Sequence, residues 1–75
     1  MATDVIMPRM GDMEEGTLLR WLIEDGQAVS KGQPLLVIQT EKANLEIEAP
    51  ASGTLTILVQ AGETVPMGTV VARIA

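Results

Sequence analysis

The chain contains no cysteine and no histidine, and Trp21 is its only aromatic residue. Without cysteine it has neither disulfides nor thiolate metal ligands. Without histidine it lacks the commonest metal ligand and the commonest general base at neutral pH. We therefore expect no metal site, no catalytic residues and a core of aliphatic side chains, which the hydrophobic content of 47% can supply.

Positive charge is also scarce, with five Lys and Arg residues against ten Asp and Glu residues and a net charge of −5. Nucleic-acid binding needs a basic face, and single-strand binding also uses aromatic stacking, so nucleic acid is not an expected partner. No apolar run approaches the roughly 18 residues of a membrane span, and the N-terminus lacks a signal-peptide layout. We expect one soluble domain over residues 1–75, in a bacterial cytoplasm or a mitochondrial matrix, without membrane contact.

Two sequence patterns occur twice in the chain. Gly-x-x-Val-x-x-Gly occurs over residues 26–32 and again over residues 62–68, and Gly-Thr-Leu occurs over residues 16–18 and again over residues 53–55. The matches keep the same order in both halves. Because a solenoid needs about three or more repeats, the pattern favours two half-domains related by a pseudo-twofold axis.

Strand signals dominate both halves. Residues 44–49 alternate polar and apolar side chains, the period of a half-buried strand. Residues 54–59 and 69–74 are rich in β-branched residues and bounded by Gly or Pro. Residues 18–23 fit a strand or a short helix, and their match to the second half favours a strand. These patterns predict an all-β fold of about eight strands: a flattened barrel or sandwich of two four-stranded antiparallel sheets with quasi-twofold symmetry.

The strongest local prediction is a hairpin whose two-residue turn is Glu41-Lys42. With this turn, Ile38 faces Leu45 and Leu36 faces Ile47 on one face, and a shift of one residue would expose Leu45 and Ile47. Because Glu-Lys is not the Asn-Gly type of a primed turn, we expect a type I turn. Lys42 is thus predicted at the hairpin tip, at the end of the domain opposite the chain termini.

The tip resembles the lipoyl-attachment turn of 2-oxo acid dehydrogenase complexes, in which a lysine flanked by an acidic residue and Ala or Val carries lipoate. Here Glu41 and Ala43 flank Lys42, although the family usually has Asp before the lysine. The similarity covers essentially the whole chain, and the family fold is two four-stranded sheets with a quasi-twofold axis. The other segments that show the resemblance are Met7-Pro8, Met13–Thr17, Trp21, Glu24–Gly32, Glu46–Gly53 and the second Gly-x-x-Val-x-x-Gly.

This resemblance implies a lipoyl domain of a dihydrolipoyl acyltransferase component: a carrier with lipoate covalently attached to Lys42, and not an enzyme by itself. Its swinging arm would move acyl groups and reducing equivalents within a complex of the pyruvate, acetoin or branched-chain type. The implied partners are a lipoate-protein ligase or lipoyl transferase, a thiamine-dependent 2-oxo acid decarboxylase, the acyltransferase core and dihydrolipoamide dehydrogenase.

In the family, the loop corresponding to Met10–Glu15 lies beside the lipoyl turn. Glu14 and Glu15 are therefore candidate residues for partner recognition. The alternative, to which we give equal weight, is that both glutamates only make the loop more soluble. The last predicted strand finishes close to Ala75. We accordingly expect either a stand-alone carrier or one domain of a longer acyltransferase.

Two other functions fit parts of the pattern. A biotin carrier domain shares the fold and the modified lysine, but usually places that lysine between two methionines. An unmodified structural domain of the same fold, as in membrane-fusion adaptors, would lack the tight turn at Lys42. An enzyme is disfavoured because Glu46 and Glu48, on one face of a strand, have no nucleophile and base beside them.

Overall fold

The computed structural model describes residues 2–9 and 13–75, which form two antiparallel sheets. The strands are β1 (Thr3–Ile6), β2 (Glu15–Trp21), β3 (Ala28–Val29), β4 (Pro34–Gln39), β5 (Asn44–Glu48), β6 (Gly53–Ile57), β7 (Thr64–Pro66) and β8 (Val70–Ile74). Their order is β1-β8-β6-β3 in one sheet and β5-β4-β2-β7 in the other, so the predicted all-β fold of two four-stranded sheets is confirmed. Residues 2–9 and 13–75 contain no helix that could span a membrane.

The two halves of the chain have the same pattern of backbone contacts. If each strand of one sheet is replaced by the strand four positions later in the chain, with β1 counted after β8, the strand order of the other sheet results. The Gly62 N–H donates to the Leu18 carbonyl at 2.7 Å, and the Gly26 N–H donates to the Leu55 carbonyl at 2.8 Å. Each glycine turn is therefore bound to the second strand of the opposite half, an arrangement consistent with the predicted pseudo-twofold axis.

These two turns depend on glycine for their backbone conformation. Gly26 has a φ of 83° and Gly62 a φ of 94°, the left-handed region in which a Cβ atom is unfavourable. Beside the first turn, the Asp25 carboxylate accepts the Ile57 N–H at 2.8 Å. The turn is thus held to β6 by a side chain as well as by its backbone.

The core lies between the sheets and is aliphatic, as the composition predicts. Among the described residues no polar or charged side chain is buried. Trp21 is half-buried and packs against the edge of the core. The buried cluster comprises Val5, Met7, Leu18, Ile23, Val29, Leu35, Leu36, Ile38, Ala49, Leu55, Val59, Met67, Val71, Ala72 and Ile74.

Two predicted strands differ from the structure by two or more residues at an end. The strand expected over residues 18–23 begins at Glu15 and ends at Trp21, because its first residues pair with β7. The strand expected over residues 54–59 ends at Ile57. There the chain bends, and the N–H groups of Leu58 and Val59 both donate to the Val71 carbonyl, at 2.9 and 3.1 Å.

Candidate functional site

The hairpin of β4 and β5 has the predicted register. Gln39 pairs with Asn44, and Ile38 pairs with Leu45. Glu41 and Lys42 consequently lie at the tip, and both are exposed. The hairpin prediction derived from the apolar pattern is therefore confirmed at the level of individual residue pairs.

The apolar face of β5 is less buried than its pattern predicts. Ile47 is half-buried and packs against the core, but Leu45 has 36% of its surface exposed. β5 forms the edge of its sheet, so Leu45 has a neighbouring strand on one side only. The expectation that the pairing register would keep Leu45 from solvent is therefore wrong, although the register itself is correct.

Hydrogen bonds of Thr40 to Lys42 and Ala43 close the turn. The Thr40 N–H donates to the Ala43 carbonyl at 2.9 Å. The Thr40 hydroxyl donates to the same carbonyl at 2.8 Å and accepts the Ala43 N–H at 3.1 Å and the Lys42 N–H at 3.3 Å. No residue other than glycine has a positive φ in the described chain, so the turn is not of a primed type, as predicted. The sequence did not indicate that Thr40 closes it.

The Lys42 amine extends from this turn without a partner among the described residues. In residues 2–9 and 13–75 the ion pair of Asp4 and Arg73, at 3.3 Å, involves neither lysine, and no side-chain hydrogen bond reaches the Lys42 amine. Acylation at this position therefore breaks no hydrogen bond or ion pair with the residues that the structure describes. These features fit covalent attachment of an acyl group, because acylation converts the exposed amine into an amide and leaves the aliphatic core unchanged.

Lys31 is the other lysine, and its setting differs. It is exposed, but it lies in a glycine turn beside Gly32, which has a φ of 89°. Its N–H donates to the Ser52 hydroxyl at 2.9 Å. The backbone of Lys31 is therefore bound to the residue before β6, and Lys31 does not lie at the tip of a hairpin.

An open groove runs between the hairpin tip and the start of β2. The pairing of Thr17 with Gln39 brings this start beside the tip, so Glu14 and Glu15 line the groove together with Glu41 and Lys42. Both glutamates are exposed. The side of the groove is completed by the hydroxyls of Thr17 and Thr64, 2.8 Å apart.

The groove therefore collects the predicted site residues. Its described lining includes three glutamates, Glu14, Glu15 and Glu41, and one lysine, Lys42. Of the predicted loop Met10–Glu15, residues 10–12 lie outside the described residues, and only Met13–Glu15 can be located. Glu46 and Glu48 are exposed on β5, and Glu48 pairs with Pro34 at the end of the hairpin away from the tip.

The chain ends occupy the equivalent position in the other half. Thr54, at the start of β6, exchanges backbone hydrogen bonds with Ala75 at 2.8 and 3.0 Å. The indole of Trp21, at the end of β2, donates to the carbonyl of Val59 just beyond β6 at 2.9 Å. Trp21 lies beside Val59 and Gly26 lies beside Leu55, so the chain that leaves β2 runs along β6 toward the start of that strand, where Ala75 lies. Because the start of β2 lies beside the hairpin tip, this supports the prediction that Lys42 and the chain end at Ala75 lie at opposite ends of the domain.

The described residues also bear on the chemistry that the domain can perform. They contain no group of three or more Asp or Glu side chains placed to hold a metal ion. The glutamates beside Lys42 are exposed on an open surface. The site thus offers an accessible amine within an acidic surface rather than an enclosed pocket.

The sequence and the fold both match known proteins. A family profile described as Biotin-requiring enzyme, of the biotin/lipoyl type, matches residues 3–74. The chain is 44% identical, over 97% of its length, to the dihydrolipoyllysine-residue acetyltransferase component of the pyruvate dehydrogenase complex of Corynebacterium glutamicum, of which it covers 11%. It is 45% identical, over 99% of its length, to the corresponding component of the acetoin cleaving system of Bacillus subtilis, of which it covers 19%.

A solved structure shows the same fold over nearly the whole chain. The lipoyl domain of the 2-oxoglutarate dehydrogenase complex of Azotobacter vinelandii superposes with a TM-score of 0.74 and 24% identity, covering 99% of this chain and 94% of that one. The chain spans less than a fifth of the length of the two curated relatives, so it corresponds to one domain of each. The chain belongs to the biotin/lipoyl family, as a lipoyl domain of the kind found in the acyltransferase components of 2-oxo acid dehydrogenase complexes.

Proposed function

We propose that Lys42 carries lipoate in amide linkage and that the domain transports acyl groups and reducing equivalents between the active sites of a 2-oxo acid dehydrogenase complex. The observation that supports this most directly is the Lys42 amine, exposed at the crest of a two-residue hairpin turn and without a partner in the described chain. The lipoyl group supplies the redox and acyl chemistry, while the protein supplies attachment and recognition.

The reacting group that this chain supplies for attachment is the amine of Lys42. A neutral Nζ attacks the carboxyl carbon of an activated lipoate, the activating group leaves with its bonding electrons, and the nitrogen releases a proton as the amide forms. The sandwich then holds the arm on the sheet of β4 and β5, whereas the first and last strands, β1 and β8, lie in the other sheet. A tethered carrier raises the effective concentration of its group at each active site that it can reach.

The partners follow from this role. We propose a lipoate-protein ligase or lipoyl transferase for attachment, and then a thiamine-dependent decarboxylase, the acyltransferase core and dihydrolipoamide dehydrogenase. Glu14, Glu15 and Glu41, which line the groove beside Lys42, are the proposed contacts for these partners. The relatives support complexes acting on pyruvate or acetoin, and a lipoamide acyltransferase of a branched-chain complex from Bacillus subtilis is 36% identical over 91% of the chain. The proposed location is the bacterial cytoplasm or the mitochondrial matrix.

Reductive acylation tests the role directly. The domain, lipoylated in vitro, is incubated with a decarboxylase of the pyruvate, acetoin or branched-chain type and its 2-oxo acid or acetoin substrate, and the intact mass is measured. We expect one acyl group to be added to the lipoylated domain with at least one of these enzymes, and none to the Lys42→Arg variant. Acyl transfer to the variant, or failure with all three enzymes, would contradict the proposal.

Biotin is the competing cofactor, because the family includes biotin-dependent enzymes. The two are separated by producing the domain in a host that has both a lipoate ligase and a biotin ligase. We expect the intact mass to show lipoyl and not biotinyl addition, and we expect Lys31→Arg to be modified like the wild type. Biotin on the wild-type domain would contradict the lipoyl proposal and favour a biotin carrier. A wild-type domain without either group would favour a purely structural domain.

A further inference from the structure

The turn that bears Lys42 lacks the residues that normally form a two-residue hairpin. Such turns favour Asn-Gly or Asp-Gly, whose backbones adopt the positive φ values that match the strand twist. Here the turn residues are Glu41 and Lys42, and neither has a positive φ. The conformation of the turn therefore needs a source of order other than the preferences of its own residues.

The Thr40 side chain supplies this order. A hydroxyl has one donor and two acceptor sites. The Thr40 hydroxyl uses its donor on the Ala43 carbonyl and its acceptor sites on the N–H groups of Ala43 and Lys42. Its hydrogen-bonding capacity is thus fully used within the turn, and β-branching restricts the side chain to few rotamers.

The consequence concerns Lys42 rather than the stability of the sandwich. Thr40 follows directly after β4, whose residues Leu35–Ile38 are buried. The hydroxyl therefore ties the backbone of Lys42 to a rigid strand through its N–H, while the Lys42 side chain remains exposed. The Glu41 N–H, in contrast, has no acceptor in the described chain, so the restraint acts on the attachment residue and the residue after it.

We propose that Thr40 is a positioning residue for the acylation of Lys42: its hydroxyl holds the turn in the conformation that the modifying enzyme binds. This inference rests on the proposed function, since it assumes that Lys42 is the attachment site. An enzyme that binds a turn populated in only part of the ensemble shows a proportionally weaker apparent affinity. Loss of the hydroxyl therefore raises the KM for the domain and leaves kcat nearly unchanged.

The first experiment compares three variants in steady-state lipoylation with a purified lipoate-protein ligase. Thr40→Val keeps the shape and removes the hydroxyl, and Thr40→Ser keeps the hydroxyl. Thr56→Val is the matched control, since Thr56 is exposed on β6 and its side chain makes no hydrogen bond in the described chain. We expect a KM about fivefold higher for Thr40→Val with kcat within about twofold, and wild-type values for the other two variants.

The second experiment measures exchange with water of the backbone N–H groups in the wild-type domain by NMR. We expect slower exchange at Lys42 and Ala43 than at Glu41, because only the first two donate to the Thr40 hydroxyl. This measurement tests the role of the Thr40 hydroxyl even if Thr40→Val does not fold, because it uses the wild-type domain. Equal exchange at the three positions, or a KM for folded Thr40→Val equal to that of Thr56→Val, would overturn the role of Thr40.

The two proposals fail in different ways. A wild-type domain that the ligase does not modify contradicts the proposed function, and with it this role of Thr40. A wild-type domain that is modified at Lys42, with the same KM as Thr40→Val, contradicts the positioning role alone.

Discussion

Trp21 donates its indole N–H to the backbone carbonyl of Val59 at 2.9 Å and so joins the end of β2 to the segment after β6. This contact links the two half-domains through the only aromatic side chain of the protein. Phenylalanine at this position would keep most of the apolar contact and lose the donor, leaving the part-buried carbonyl without its partner. The bond therefore contributes to the stability of the sandwich at the place where the halves meet.

We expect Trp21→Phe to lower the free energy of unfolding by about 1 kcal/mol, the net value of one such hydrogen bond. Urea denaturation followed by circular dichroism measures this change, because the variant has no tryptophan fluorescence. An unchanged unfolding midpoint would show that the hydrogen bond does not contribute.

The twofold-related glycines Gly16 and Gly53 are predicted to differ in their tolerance of alanine. A Cβ at Gly53 would lie 2.7 Å from the Ala75 carbonyl oxygen, whereas one at Gly16 would lie 3.2 Å from the Met7 sulfur and 3.3 Å from the Met67 Cε. Thioether side chains can shift, but a paired backbone cannot do so without losing its hydrogen bonds. We expect Gly53→Ala to cost more than about 2 kcal/mol of unfolding free energy and Gly16→Ala about 1 kcal/mol or less. Equal losses in urea denaturation would contradict this asymmetry.

Ile38 and Leu45 are directly paired across the hairpin, yet their burial differs. Ile38 is fully buried, and Leu45 is 36% exposed on the edge strand. We expect Ile38→Ala to cost about 2–5 kcal/mol in thermal or urea unfolding, because it leaves a cavity in the core. Leu45→Ala should cost less than about 1 kcal/mol. A comparable loss for both variants would mean that β5 is more deeply packed than the structure shows.

Glu14 and Glu15 are predicted to act on partner binding rather than on folding. We expect the double variant Glu14→Gln/Glu15→Gln to raise the KM of the decarboxylase for the lipoylated domain by about two- to fivefold, and to weaken the dependence of KM on ionic strength. The matched control is Glu24→Gln/Glu48→Gln, which removes the same charge from exposed residues that do not line the groove. Equal effects of both double variants would indicate that these glutamates contribute only general surface charge.

Much of this architecture is readable from local patterns. The repeated Gly-x-x-Val-x-x-Gly segments indicate the twofold arrangement because each marks a turn that the opposite half binds. The alternation over residues 44–49 determines the hairpin register, since a shift of one residue would reverse both faces. The position of Lys42 at the tip follows from that register.

Other features depend on tertiary neighbours that the pattern does not contain. The exposure of Leu45 follows from the edge position of β5, and strand order is not encoded in alternation. The closure of the turn by Thr40 was not predicted, because a threonine before a turn has several possible partners for its hydroxyl. The family resemblance, and not the residue pattern, predicted that Glu14 and Glu15 lie beside Lys42. In the structure, the pairing of Thr17 with Gln39 brings both glutamates to the groove that Lys42 lines.

The most direct test of the account is peptide mass mapping of the protein produced in its native host. The chain has only two lysines, Lys31 and Lys42, so the modified position can be assigned without ambiguity. We expect a lipoyl group on Lys42 and none on Lys31. Lipoyl on Lys31, biotin on Lys42, or two unmodified lysines would contradict it.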